Sequence, residues 1–103
     1  RLLMLHHIVM WKIKATPDGS SREANIAKAK ALLDACAQLV PGIVRFEVAT
    51  AAGDLECTYD LVLNSSFTGR DALAAYQNHP SHTALKPFMR LVVEQRQCMD
   101  YEV

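Results

Sequence analysis

Residues 5–14, Leu-His-His-Ile-Val-Met-Trp-Lys-Ile-Lys, place apolar side chains on both of their alternating faces. His7, Val9, Trp11 and Ile13 fall on one side and His6, Ile8, Met10 and Lys12 on the other. A run of β-formers with no helix cap before it and no contrast between a dry and a wet face describes a strand covered on two sides. Any fold of this chain must therefore cover both faces of the sheet that holds this strand.

The elements that follow supply half of that cover. Thr16-Pro17-Asp18-Gly19 is a turn, and Ser20-Ser21-Arg22-Glu23 offers a capping box in which Ser20 reaches forward and Glu23 reaches back. The predicted helix carries an apolar stripe of Ile26, Ala29, Leu33, Cys36 and Val40, widened by Leu32 and Leu39, and ends at Pro41-Gly42. Ile43–Thr50 alternates Val44, Phe46 and Val48 against Arg45, Glu47 and Ala49, which predicts a second strand. Ala51-Ala52-Gly53-Asp54 is a hairpin-like connection to a third, Cys57–Asn64, with Tyr59, Leu61 and Leu63 opposite Asp60, Val62 and Asn64. Thr68-Gly69-Arg70-Asp71 opens a short helix through Tyr76 that Pro80 terminates, and Ser81–Val92 adds one or two turns interrupted at Pro87. Gln95–Val103 alternates again, with Arg96, Cys98 and Asp100 on one face and Gln97, Met99 and Tyr101 on the other.

The order β-α-β-β-α-β suits an α+β fold of the ferredoxin-like kind, a four-stranded antiparallel sheet with helices on one side. At 103 residues it is read as one domain, residues 1–103. With His6 turned toward the helices, the face bearing Val9, Trp11, Ile13, Phe46, Tyr59, Leu61 and Leu63 is left apolar and bare. A second copy of the chain is the economical cover. Sheet packed against sheet would close a homodimeric α/β barrel with a cavity between the two sheets, with Trp11, Phe46 and Tyr59 as core and dimer filling.

Composition removes several partner classes. Eleven basic residues balance eleven acidic ones, which gives no electrostatic case for nucleic acid or an anionic membrane surface. No apolar run approaches the roughly 20 residues that span a bilayer. Arg1-Leu2-Leu3-Met4-Leu5 resembles a signal-like flank without a complete apolar segment or cleavage site, and Met4 is a candidate start. Three cysteines, Cys36, Cys57 and Cys98, with no Cys-x-x-Cys spacing, fit free thiols in a reducing, cytoplasmic setting.

The candidate site is Tyr76-Gln77-Asn78-His79-Pro80-Ser81-His82. Pro80 has no N–H to donate and pushes His79 out of the helical region, so one helix ends near His79 and a new turn begins at Ser81. Side chains are thereby aimed from the corner between two helices. An imidazole with an ordinary pKa near 6.5 can take a proton at neutral pH, and a phenol can donate to a developing oxyanion. His79 is expected to cap or pack beside Pro80. Metal is the rival use for four histidines, with His79 and His82 three apart and His7 nearby. Pro80 breaks the helix that would align that pair, and no cysteine sits at ligand spacing, so no metal site is expected.

These residues resemble a known family, the stress-responsive dimeric A/B barrel or Dabb proteins. The resemblance is carried by His7-Ile8-Val9-Met10-Trp11-Lys12-Ile13-Lys14, Tyr59-Asp60-Leu61-Val62-Leu63 with Phe67, the Tyr76–His82 element, and Asp100-Tyr101. Within that family it extends to plant polyketide cyclases of the olivetolic acid type, which close a poly-β-keto thioester by aldol condensation without metal or organic cofactor. The resemblance implies that His82 is the general base, that Tyr76 holds or polarises a substrate carbonyl, and that Asp100 orients His82 by accepting its other N–H. His7 would line the pocket, with Val9, Trp11, Leu61, Arg96 and Cys98 as further substrate-binding positions. Arg96 and Cys98 stand where the cyclase pattern is aliphatic, and Leu61 replaces a polar inward group. An inward Arg96 favours a carboxylate or other anion over an alkyl tail. Cys98 would be a nucleophile only if it faced His82.

Three function classes follow: a cofactor-independent cyclase or lyase acting on a β-keto or aromatic acid compound, a barrel that binds a small molecule without turnover, and a structural stress-related dimer whose cavity is filled by its own side chains. A cofactor-independent monooxygenase is a minor variant of the first.

Overall fold

In the computed structural model, which describes residues 3–103, β1 (Leu5–Ile13) lies inside the sheet as its two apolar faces require. Arg1 and Leu2 of the signal-like flank lie outside the described residues. β1 pairs antiparallel with β3 (Leu61–Phe67) on one side and β4 (Val93–Glu102) on the other, and β2 (Ile43–Thr50) pairs with the far edge of β3. The sheet order is β2-β3-β1-β4. The helices are α1 (Arg22–Asp34), α2 (Arg70–Asn78), α3 (Pro80–Thr83) and α4 (Lys86–Val92). This is the ferredoxin-like α+β fold expected from the element order. Among the described residues no helix is long and apolar enough to cross a membrane.

The pairing register fixes which residues share a face. His7 stands opposite Ser65 and Asp100, Val9 opposite Leu63 and Cys98, and Trp11 opposite Leu61 and Arg96. The helices cover this face, where Val9, Ile13, Leu61, Leu63 and Phe67 pack with Ala29 and Leu33 of α1, Leu73 and Tyr76 of α2, and Val92 of α4. The expectation that this face meets a second sheet, with His6 under the helices, is reversed. His6 lies on the opposite face and stacks on Tyr101 at 5.0 Å. Alternation tells which residues are neighbours but not which face the crossovers take. The helices take the side with the larger apolar volume, so the cavity forms between sheet and helices within one chain.

Several boundaries move for local reasons. α1 ends at Asp34, and the Cys36 and Ala37 amides bond three residues back, to Leu33 and Asp34, in tightened turns that lead to Pro41. Ser21, not Ser20, is the N-cap: its Oγ accepts the Ala24 amide at 3.0 Å, and Glu23 pairs with Arg22 instead of reaching back. Val44 is the extra residue of a bulge between Ile43 and Arg45, which turns it out to solvent. β3 begins at Leu61 rather than Cys57 because Asp60 is used otherwise. Its carboxylate accepts the Ile13 amide at 2.8 Å and pairs with Arg22, tying loop, β1 and α1 together. Tyr59 therefore lies before the strand, with the Lys12 ammonium 5.8 Å from its ring.

Candidate functional site

The corner forms as Pro80 dictates. His79 is extended (φ −63°, ψ 137°), ends α2, and accepts the Ser81 amide on Nδ1 at 3.1 Å, which caps α3. The chain then carries His82 back against the end of α2, where its Nδ1 donates to the Gln77 carbonyl at 3.1 Å. A carbonyl only accepts, so the proton sits on Nδ1 and Nε2 keeps its lone pair. The imidazole lies 4.6 Å from the Tyr76 ring, centroid to centroid, at 56°.

Tyr76 is 0% exposed, held by Phe46 at 5.7 Å and Phe67 at 5.4 Å. Its hydroxyl is buried with no hydrogen-bond partner, the one such side-chain atom among the described residues. Burial, with the Cys36 thiol nearby, pushes the phenol well above its ordinary range, so it remains an O–H donor. Burial also lowers the His82 pKa; the Gln77 carbonyl opposes this, while the charges of Lys86, His7 and Arg96 add to it.

Both residues line a cavity of about 700 Å³. Its sheet wall is His7, Val9, Trp11 and Leu63, and its helix wall includes Leu33, Tyr76, Leu85 and Met89. Lys86, Arg90 and Arg96 also line it. His7 is buried, with Nδ1 2.5 Å from Asp100 Oδ1. Asp100 thus orients His7 and not His82, a correction that follows from the register, which sets residues 7 and 100 directly across β1 and β4. The Gln77 carbonyl holds His82 instead.

Of the residues singled out in the sequence, His82, Tyr76, His7, Val9, Trp11 and Arg96 meet at the cavity, and Asp100 stands behind His7. Leu61 and Cys98 do not line it. Leu61 is 2% exposed and packs in the core. Cys98 is exposed at the sheet edge, donating to Asp100 at 3.7 Å, and partial burial with the Asp100 charge pushes its thiol up, away from the thiolate a nucleophile needs. Sequence reading missed Lys86, Met89 and Arg90, and it included Gln77 in the candidate stretch without its role. Lys86 and Arg90 carry the signal of like charges four apart on one helix face, whereas Gln77 acts through its backbone and leaves none.

His7, Cys98 and Asp100 also bring imidazole, thiol and carboxylate ligand atoms within 4.8 Å of one another. The set has donor types that suit a transition metal. However, the His7–Asp100 hydrogen bond occupies two of the three, and the Arg96 charge acting on Cys98 opposes a cation.

The profile of the Dabb family, described as the stress responsive A/B barrel domain, matches residues 5–103. The chain belongs to the Dabb family. No curated protein matches it significantly. This Dabb chain is similar in structure to a dimeric ferredoxin-like protein of unknown function from Bacteroides fragilis, at 28% identity and TM-score 0.78, covering 97% of this chain and 96% of that one. A Dabb protein from Mesorhizobium loti is 23% identical with TM-score 0.68 over 96% and 95% of the two chains. A cofactor-independent oxygenase from Streptomyces nogalater shares the fold at 15% identity, with TM-score 0.70 over 95% of this chain and 90% of the other.

Proposed function

We propose that this Dabb chain is a homodimeric barrel protein whose cavity binds a small enolisable carbonyl compound, of β-keto or aromatic acid type, and removes a proton from it without a cofactor. The observation that carries the reading is Tyr76, a cavity-lining residue whose ring lies against the His82 imidazole and whose buried hydroxyl has no hydrogen-bond partner. Nε2 of His82 takes the α-proton, and Tyr76 O–H donates to the oxygen on which negative charge develops. In an aldol closure the carbanion then attacks a second carbonyl of the same chain, and the alkoxide recovers the proton from His82. A lowered His82 pKa keeps the imidazole neutral, hence ready as a base, at pH 7. The open cavity counts against a purely structural dimer filled by its own side chains. His7, oriented by Asp100, completes the polar part of the wall.

The homodimer is supported by the dimeric relatives and by the uncovered sheet face. Three free thiols suit a cytoplasmic protein. The chemistry is tested by proton exchange: an aryl methyl ketone, whose background exchange is slow, is incubated in deuterium oxide and followed by NMR. His82→Ala is expected to abolish the catalysed exchange and Tyr76→Phe to reduce it by about 10²-fold. Exchange that survives His82→Ala removes the base assignment, and binding without exchange identifies a carrier. Oxygen uptake in the same samples reports the oxygenase variant, which would start from the same carbanion.

A further inference from the structure

The cations of this electroneutral chain are unevenly satisfied. Arg22, Lys30, Arg45 and Arg70 pair with carboxylates, and Lys12 and Lys28 lie over the rings of Tyr59 and Phe88. Among the described residues that leaves Lys14, Lys86, Arg90 and Arg96 without an anionic or aromatic partner, and the last three all line the cavity. No Asp or Glu lines it, and Asp100, on the Arg96 face of β4, is engaged by His7. Three exposed positive charges with no acidic neighbour, gathered around one partly apolar hollow, favour an anionic ligand over a neutral one there.

Building on the pocket reading above, we propose that the cavity selects an organic carboxylate, with Lys86, Arg90 and Arg96 facing its charge and Trp11, Leu85 and Val93 facing its apolar body. A bound carboxylate has a second effect. The groups sharing the cavity with His82 are His7 on β1, Tyr76 on α2, Lys86 and Arg90 on α4, and Arg96 on β4. Neutralising Lys86 and Arg96 relieves their opposition to His82 protonation, so the imidazole becomes a stronger base once the ligand is seated.

The test uses the full chain with para-butylbenzoate and its uncharged isostere para-butylbenzamide, followed by calorimetry and by the NMR signal of His82. The benzoate is expected to bind about tenfold more tightly than the benzamide, the sum of a few half-exposed charge contacts, and to lose that margin as salt rises. It raises the His82 pKa, and the benzamide does not. The margin closes in a Lys86→Gln/Arg90→Gln/Arg96→Gln variant, whose substitutions are at exposed positions that leave folding intact, and it survives Arg96→Lys. Equal affinity of the two probes at the His82 signal, or a margin unchanged in the triple variant, overturns the selectivity while the pocket reading stands. No response of His82 to either probe overturns both.

Discussion

A buried hydroxyl that finds no partner costs a protein about 1–3 kcal/mol of desolvation, and Tyr76 carries that cost in the wall of a cavity. Phe46, Phe67 and His82 would hold a phenylalanine ring equally well. Tyr76→Phe is therefore expected to raise stability in urea unfolding by about 1 kcal/mol while proton exchange falls, a division that a purely structural tyrosine would not give. A variant that loses stability shows instead that the hydroxyl is already satisfied in the native protein. His82 supplies a pH-dependent test. Its folded pKa lies below the ordinary 6.5, so the unfolded chain holds the proton more tightly. The neutral form's contribution is complete above pH 6.5 and is lost as pH falls toward the folded pKa. The difference in melting temperature between the wild type and His82→Gln should thus shrink or reverse in acid, and parallel curves would sink the depressed pKa. Tyr76 and His82 were legible in the sequence because Pro80 punctuates the chain between them. The His7–Asp100 contact was not, because it joins residues 93 apart through a strand register that no local pattern encodes.

The elements were legible in kind and order, and less so in their ends and faces. β1 announced its interior place by its two apolar faces, but Asp60 shows why the start of β3 was misplaced. Its backbone still bonds Trp11 and Ala51, but its carboxylate, and not a backbone carbonyl of a longer β3, takes the Ile13 amide and pairs with Arg22. α2 is positioned by a close approach at Gly42, where the Thr68 amide donates to the Gly42 carbonyl at 2.9 Å. A Cβ added to Gly42 would meet the Ala72 Cβ well inside contact distance and Thr68 Oγ1 at 2.8 Å. Gly42→Ala must therefore push α2, and with it Tyr76, away from the sheet. The expected cost is about 1–3 kcal/mol, with ligand response at His82 weakened in the same variant. Gly53→Ala, which adds a Cβ to open space, is the matched control and should leave both unchanged. Equal behaviour of the two variants would show that α2 does not depend on this contact.

At the scale of the whole molecule the chain is a slab of 49 × 32 × 18 Å, a sheet with helices on one face only. The other face presents Ile8, Met10 and Val62 beside Met99 at 66% and Tyr101 at 40% exposure, and β4 is exposed from Glu94 onward. β1 was read as apolar on both faces, and the helices cover the face that was expected to meet a second sheet. A second copy laid sheet to sheet would bury the uncovered face, and Met99→Glu separates that arrangement from a lone chain. In an isolated chain a glutamate at so exposed a position changes stability by no more than about 0.5 kcal/mol. Between two sheets it would bury an unpaired charge at a cost of about 3–5 kcal/mol, enough to split the pair. Sedimentation should accordingly find the wild type at twice the 11.4 kDa chain mass and Met99→Glu at 11.4 kDa. A wild type that sediments as one chain, or a variant that remains paired, ends the sheet-to-sheet proposal. The same sample reports on the cavity. Because the helices and sheet of one chain line it, the single chain should still bind the carboxylate probe. If binding is lost although the single chain stays folded, the partner supplies part of the wall. The exposed stretch of β4 that carries Arg96 and Asp100 is where that contribution would fall.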